Sequence, residues 1–239
     1  IPRIDFSDDA NGALLLEPSR TNSFQDGENV AQTLGVGNAT IVQNNNISPK
    51  GDLSAAKFTE NTSTSSHFAR IGASIVGQVA ISMFAKSDGR NRIYLTQDFN
   101  NGVIFNLNTG VVDSYKGSGF TGIIEDYGNG WYRCIIYTTI ASGGTFYLVT
   151  LLDGSDSPTY LGDGASSVLL YGAQLEQGSY ATSYIPTSGT TQTRVADTAT
   201  DSGNSTVINS SEGTLYFEGS ALANDLSERR FGISDGTSS

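Results

Sequence analysis

The sequence predicts an all-β chain folded as a jelly-roll β-sandwich with antiparallel sheets. Three observations point there. Apolar and polar residues alternate with a period of two in runs that recur along the chain. Clusters of glycine and asparagine separate those runs. No glycine-free window places apolar residues at i, i+3, i+4 and i+7.

Composition agrees with short strands joined by many tight turns. Of 239 residues, 37% are hydrophobic, 10% aromatic and 15% charged. That aromatic share is too high for a disordered segment. The 28 glycines follow no three-residue period, so a collagen helix is excluded. Acidic residues outnumber basic ones 24 to 13, giving a net charge of −11. Such a surface repels phosphate backbones, and nucleic acid is not an expected partner. No apolar run approaches the roughly 20 residues that span a bilayer. Cys134 is the single cysteine, so no intrachain disulfide forms, which suits assembly in a reducing cytoplasm. The only methionine is Met83, so Ile1 is expected to follow an upstream segment.

Taken in chain order, the run 79–85 puts Val79, Ile81, Met83 and Ala85 on one face. Residues 92–107 read as a hairpin. Ile93, Leu95, Gln97 and Phe99 alternate with Tyr94, Thr96 and Asp98, and Asn100-Asn101-Gly102 offers the Asn-Gly pair of a type I′ turn. Turns are also expected at Asn108-Thr109-Gly110, Gly128-Asn129-Gly130 and Ser142-Gly143-Gly144. The runs 131–137 and 145–152 are apolar on both faces and belong inside the sheets. A last strong strand covers 168–176. Residues 1–24 form a lead-in, 25–195 the sandwich, and 196–211, almost wholly Ala, Asp, Thr, Ser, Asn and Gly, a linker. A fresh strand at 213–218 opens a segment, 212–239, too short to bury a core of its own.

Several segments resemble phage-encoded sandwich domains related to carbohydrate-binding modules. Pro2-Arg3-Ile4-Asp5-Phe6 and Leu14 to Asn22 (LLLEPSRTN) resemble the stretch preceding these modules in phage tail and head-fibre proteins. Ile47-Ser48-Pro49-Lys50-Gly51 with Ala55-Ala56-Lys57-Phe58 is similar to their first-strand region. Ser82 to Lys86, Gly128 to Arg133 and Gly172 to Glu176 follow in the family's order, and Tyr184 to Thr187 through Thr193 to Asp197 resemble its closing stretch. Residues 211–239 look like the first strands of a concanavalin A-like (laminin-G-like) domain. The resemblance implies a structural virion protein, head or tail, that assembles with other virion proteins and with copies of itself as a trimer or other oligomer. The resemblance carries no defined ligand; host-surface polysaccharide is the partner class that such a particle protein could meet. The alternative is the carbohydrate-binding module of a secreted polysaccharide-degrading enzyme.

An enzyme is the least supported reading. His67 is the only histidine, no Gly-x-Ser-x-Gly elbow presents a nucleophile, and any triad would have to recruit that one base. His67 reads instead as a surface or strand-edge residue, and Cys134 as core filler. The acids Glu125-Asp126 and Asp153, Asp156 and Asp163 lie among glycines and serines, where carboxylates cap turns. Carbohydrate-binding sandwiches often hold a structural Ca²⁺, and Asp5, Asp8, Asp9 and Asn11, or Asp153, Asp156 and Asp163, offer hard oxygen ligands for one. If Ile93, Leu95 and Phe99 point inward, Tyr94, Thr96 and Asp98 face solvent as the candidate glycan-binding face. The competing reading of that face is a plain solvated strand. Trp131, in a doubly apolar strand, reads as core.

Overall fold

The computed structural model describes residues 3–5, 10–73, 75–141, 144–198 and 219–221. The chain divides into two compact units, Ile1–Thr200 and Asp201–Ser239. The expected linker at 196–211 and partial domain at 212–239 lie outside the described residues, apart from 196–198 and 219–221.

The first unit is almost wholly β. Its strands are β1 (Arg3–Asp5), β2 (Ala13–Leu15), β3 (Arg20–Asn22), β4 (Gly35–Gly37), β5 (Ala39–Asn46), β6 (Ala55–Glu60), β7 (Thr64–Ser66), β8 (Phe68–Ala73) and β9 (Gly77–Asp88). There follow β10 (Arg92–Asp98), β11 (Asn101–Asn106), β12 (Val111–Lys116), β13 (Phe120–Asp126), β14 (Trp131–Ile140), β15 (Gly144–Leu151), β16 (Thr159–Leu161), β17 (Ser167–Gln177) and β18 (Gln192–Arg194). One helical turn, α1 (Val30–Thr33), interrupts them. It is far too short to cross a membrane, as is every helix among the described residues.

Two six-stranded sheets carry the fold, ordered β12-β11-β10-β15-β8-β4 and β13-β14-β9-β17-β6-β5. Every pairing between their strands is antiparallel. The sheets face each other across one apolar core. Val79, Ile81, Met83 and Ala85 of β9 meet Ile93, Leu95, Val103, Phe105, Val149 and Leu151 of the opposite sheet there. The period-two alternation of 79–85 and of 93–95 thus falls on the inward faces, as read from sequence. The doubly apolar runs become β14 and β15 and the last strong strand becomes β17, each with a neighbour on both sides. The β-sandwich is the predicted one.

The 92–107 hairpin exists, but its turn differs from the Asn-Gly reading. Phe99-Asn100 form the turn and neither is left-handed, while Asn101 and Gly102 are already paired within β11. Asp98 holds the turn by accepting hydrogen bonds from the Asn100 amide at 2.7 Å and Asn101 Nδ2 at 3.1 Å. Gly102 serves close packing rather than a positive φ. The register slips between Thr96 and Asp98, and a Cβ on Gly102 would lie 2.2 Å from the Leu95 carbonyl oxygen. Gly102→Ala is expected to cost about 2 kcal/mol through overpacking against backbone, measured as a lowered urea midpoint with unchanged m-value. By contrast Gly128, Asn129 and Gly130 do take three successive positive φ values, 75°, 53° and 77°. The Ser142-Gly143-Gly144 turn lies outside the described residues at 142 and 143.

Three small pairings frame the sandwich: β1-β2, β7-β16 and β3-β18. The last joins the lead-in to the closing stretch. Arg20, Thr21 and Asn22 lie opposite Arg194, Thr193 and Gln192.

Candidate functional site

The sequence-predicted face on β10 is not open to solvent. Tyr94 is 0% exposed and Thr96 1%, which corrects the expectation that both face water. Tyr94 packs with Ile104 and Leu152, and the Lys116 ammonium stands 5.3 Å over its ring. Lys116 reaches on to the Asp156 carbonyl at 2.8 Å, and Arg92 pairs with Asp113 and Asp156 at 2.6 Å each. Burial holds the Tyr94 phenol above its usual pKa. The Thr96 hydroxyl donates to the Asp98 and Asn101 carbonyls. Asp98 alone of the three is exposed, and its carboxylate braces the turn. No ring face remains on this strand for a sugar to stack on.

Groups with reactive chemistry are used structurally. His67, read as a surface or strand-edge residue, lies between β7 and β8 and is fully buried rather than at the surface. Its Nδ1 donates to the Asn38 carbonyl at 2.6 Å and its ring leans on Tyr160, with centroids 4.8 Å apart. Gly162 lies so close to it that a Cβ there would sit 2.8 Å from the imidazole Cε1. Cys134 is a buried core residue whose thiol is pushed far above its ordinary pKa by desolvation, which suppresses the reactive thiolate. Trp131 is also buried, as read.

The acidic loops behave as turn caps. Asp126 accepts from the Gly128 amide at 2.7 Å, and Asp153 from the Ser155 and Ser157 amides at 2.9 Å each. Asp163 accepts from Ala165 and Ser166 at 2.7 Å, and the Ser166 hydroxyl and these amides hold its carboxyl well below the usual range. Among the described residues no three carboxylate, imidazole or thiol groups are placed to share a cation. Asp8 and Asp9 lie outside the described residues. Glu60, unlike these loop acids, is buried. Its side chain is 0% exposed and receives Arg90 through two bonds of 2.7 and 2.6 Å, the Tyr160 hydroxyl at 2.6 Å and the Asp163 amide at 2.8 Å.

The outer face of the second sheet has the richer inventory. Cross-strand register places Trp131, Lys86, Leu169 and Lys57 in one row over β14, β9, β17 and β6. The neighbouring row is Arg133, Phe84 and Tyr171. Phe84 is a hub. Tyr127 and Tyr184 meet it edge-on at 4.7 and 5.7 Å, and Tyr171 is tilted at 6.1 Å. Edge-to-face pairing of this kind favours the ring quadrupoles. Phe84, Trp131, Leu169 and Tyr171 are buried, Tyr184 is half-buried, and Tyr127 is 48% exposed.

Charges rim these rings. Lys50 lies 5.9 Å from the Tyr171 ring centre and pairs with Glu28 at 2.8 Å and Asp52 at 3.1 Å. The Tyr171 hydroxyl donates to Glu28 at 2.6 Å. Burial pushes the Glu28 carboxyl up, but the bonds from Lys50 and Tyr171 outweigh it and the group sits below its ordinary value. Glu28 also edges an open depression of about 460 Å³ lined by Pro186, Thr187, Gln192 and Arg194. A carboxylate, an ammonium, an amide and a guanidinium at this edge of the ring cluster can hydrogen-bond a polyhydroxylated ligand.

The closing stretch docks beside this hub through buried polar bonds. Asn22 is fully buried with every polar position used. Its amide donates to the Ala173 and Ile185 carbonyls at 3.1 and 2.9 Å, and its carbonyl accepts from the Phe24 and Leu175 amides at 3.0 and 3.1 Å. Glu176 accepts from the amide and hydroxyl of Thr182 at 2.8 and 2.7 Å. The Arg133 guanidinium, 3% exposed, donates to the Thr182 carbonyl at 2.8 Å. These bonds place Tyr184 against Phe84.

Sequence reasoning missed Glu28, Lys50, Lys86, Tyr127, Tyr171 and Tyr184. One signal was present: Phe84 stands out of phase with the inward set Val79, Ile81, Met83 and Ala85, and a large ring on the outward phase implies a covered outer face. No protein-family model and no curated protein matches the sequence. Among solved structures, the chain is similar to the CBM22-1 xylan-binding domain from Paenibacillus barcinonensis Xyn10C, which aligns over 67% of this chain and 94% of that one at 13% identity and a TM-score of 0.38.

Proposed function

We propose that this chain is a non-catalytic glycan-binding sandwich, and that its ligand meets the outer face of the second sheet at Tyr127 and Tyr184. The observation that carries the reading is the Phe84 hub, with its exposed and half-exposed tyrosines and its charged rim. The reactive side chains supply the complement: His67 and Cys134 are buried, and the loop carboxylates cap turns. The motif series supports a setting in a phage particle, as a head- or tail-fibre component among other virion proteins. The same surface would serve the accessory module of a polysaccharide-degrading enzyme, and recovery of the chain from purified particles separates the two settings. A trimer or other homo-oligomer is expected by light scattering in the particle setting.

A glycan array probed with the full chain tests the ligand class. Tyr127→Ala is expected to weaken each hit roughly tenfold, the scale of one lost ring contact, with no release of reducing ends from any bound polymer. An array blank at high micromolar protein, or hits indifferent to both Tyr127→Ala and Tyr184→Ala, would remove this face as the site.

A further inference from the structure

We infer that the ligand is an acidic glycan, and that the Lys86 ammonium receives its carboxylate; this rests on the glycan-binding reading of the same face. The cations there are not equivalent. Lys50 is committed to Glu28 and Asp52, and Lys57 to Asp88 at 2.8 Å. Arg133 is buried, with Glu125 at 3.8 Å. Lys86 differs. Asp88 acts on it electrostatically but forms its ion pair with Lys57, and among the described residues the one hydrogen bond of Lys86 is to a neutral group, the Asn129 carbonyl at 2.6 Å. An ammonium has three donors, so two remain for an acceptor from outside the chain.

Its surroundings fix where that acceptor arrives. Trp131 is the cross-strand partner of Lys86, and the lysine stem runs past Gly130, whose added Cβ would lie 3.5 Å from Lys86 Cε. The three left-handed residues 128–130 form the turn directly above, closed by the Tyr127 amide donating to the Trp131 carbonyl at 2.9 Å. The half-exposed Tyr127 ring and the ammonium therefore flank one short, conformationally fixed turn. A ring for the C–H face of a sugar and a cation beside it form the pairing that a uronate residue presents in reverse: an apolar ring face with a carboxylate on its rim.

Net charge sharpens the inference. At −11 the chain repels polyanions at long range. Physiological salt screens that repulsion beyond about 8 Å, so a contact ammonium decides the outcome locally. Acidic polymers are then held by contact rather than by steering.

Affinity electrophoresis or titration calorimetry of the full chain, with a polyuronate and with the same polymer after carboxyl reduction, tests this. The polyuronate is expected to bind roughly tenfold more tightly, the scale of one hydrogen bond to a charged group. Lys86→Met should erase that preference and Lys86→Arg keep it, both with little change in melting temperature because each keeps a long stem in the half-buried position. Tyr127→Ala should weaken both polymers. Equal binding of the two polymers, or a preference that survives Lys86→Met, overturns the acidic-ligand inference and leaves the glycan reading standing. Binding to neither polymer, nor to any array glycan, overturns both.

Discussion

Asn22→Asp is expected to destabilise the sandwich by about 3 kcal/mol or more, although it changes one atom of the side chain. The wild-type amide nitrogen donates to two buried carbonyls, those of Ala173 and Ile185. An aspartate would present acceptor to acceptor at both places and bury a charge. Each unmet buried polar group costs on the order of 1–3 kcal/mol, and the effects compound within a network. The residue ties the lead-in to β17 and to the closing stretch together, so the loss is local before it is global. Hydrogen exchange should show the amides of 182–189 losing protection ahead of β9 and β14, with protease cleavage appearing there first. Uniform loss across the domain, or a midpoint shift below about 1 kcal/mol, would show that Asn22 does not organise this edge.

The second large effect is expected at Glu60. Its carboxylate serves Arg90, Tyr160 and the Asp163 amide inside the protein. Glu60→Ala leaves the guanidinium without its counter-charge and two further donors unmet, a change of about 3 kcal/mol, or roughly 6–12 °C in melting temperature for a domain of this size. Its pH dependence has a definite sign. Burial pushes the carboxyl up from its ordinary 4.5, but the bonds from Arg90, Tyr160 and Asp163 outweigh it, so the folded value is lowered. A carboxyl lowered by folding contributes stability that is fully present above its unfolded value and disappears as the pH falls through its folded one. Denaturant unfolding at pH 7 should therefore show the full gap between wild type and Glu60→Ala. The gap should narrow steadily below pH 4.5. A gap that is constant or widens on acidification would contradict this account.

How much of this was legible beforehand depends on what alternation encodes. Period two says which residues share a side, and for β9 and β10 it put Val79, Ile81, Met83, Ile93 and Leu95 inside. It does not say whether the opposite side is wet. Tyr94 and Thr96 were placed on the correct side of β10 but given the wrong medium, because Lys116, Leu152 and the Asp156 segment cover them from distant parts of the chain. His67 was misplaced for the same reason, since the segment that shields it comes from residues 160–162. Local chemistry fared better where the interaction itself is local: Asp153 and Asp163 cap turns two to four residues away, as composition suggested. The Asn-Gly pair shows the limit even there. Its glycine is demanded by the Leu95 carbonyl on the paired strand, a contact set by the slipped register rather than by the turn dipeptide. The Phe84 hub draws on residues 84, 127, 171 and 184, and only the outward phase of Phe84 announced it.

The clasp of β3 on β18 has a mechanical consequence. Glu17 and Asp197 are joined by two hydrogen bonds of 2.9 Å, so the backbone comes into the sandwich and leaves it at a single point. Tension applied through the flanking chain pulls these antiparallel strands apart one rung at a time, the direction in which a ladder resists least. The two large sheets are bypassed until that small zipper has opened. A load-bearing tether built on this module would thus yield first at residues 17–22 and 192–197, shedding length while the body that carries Phe84 and Lys86 stays folded.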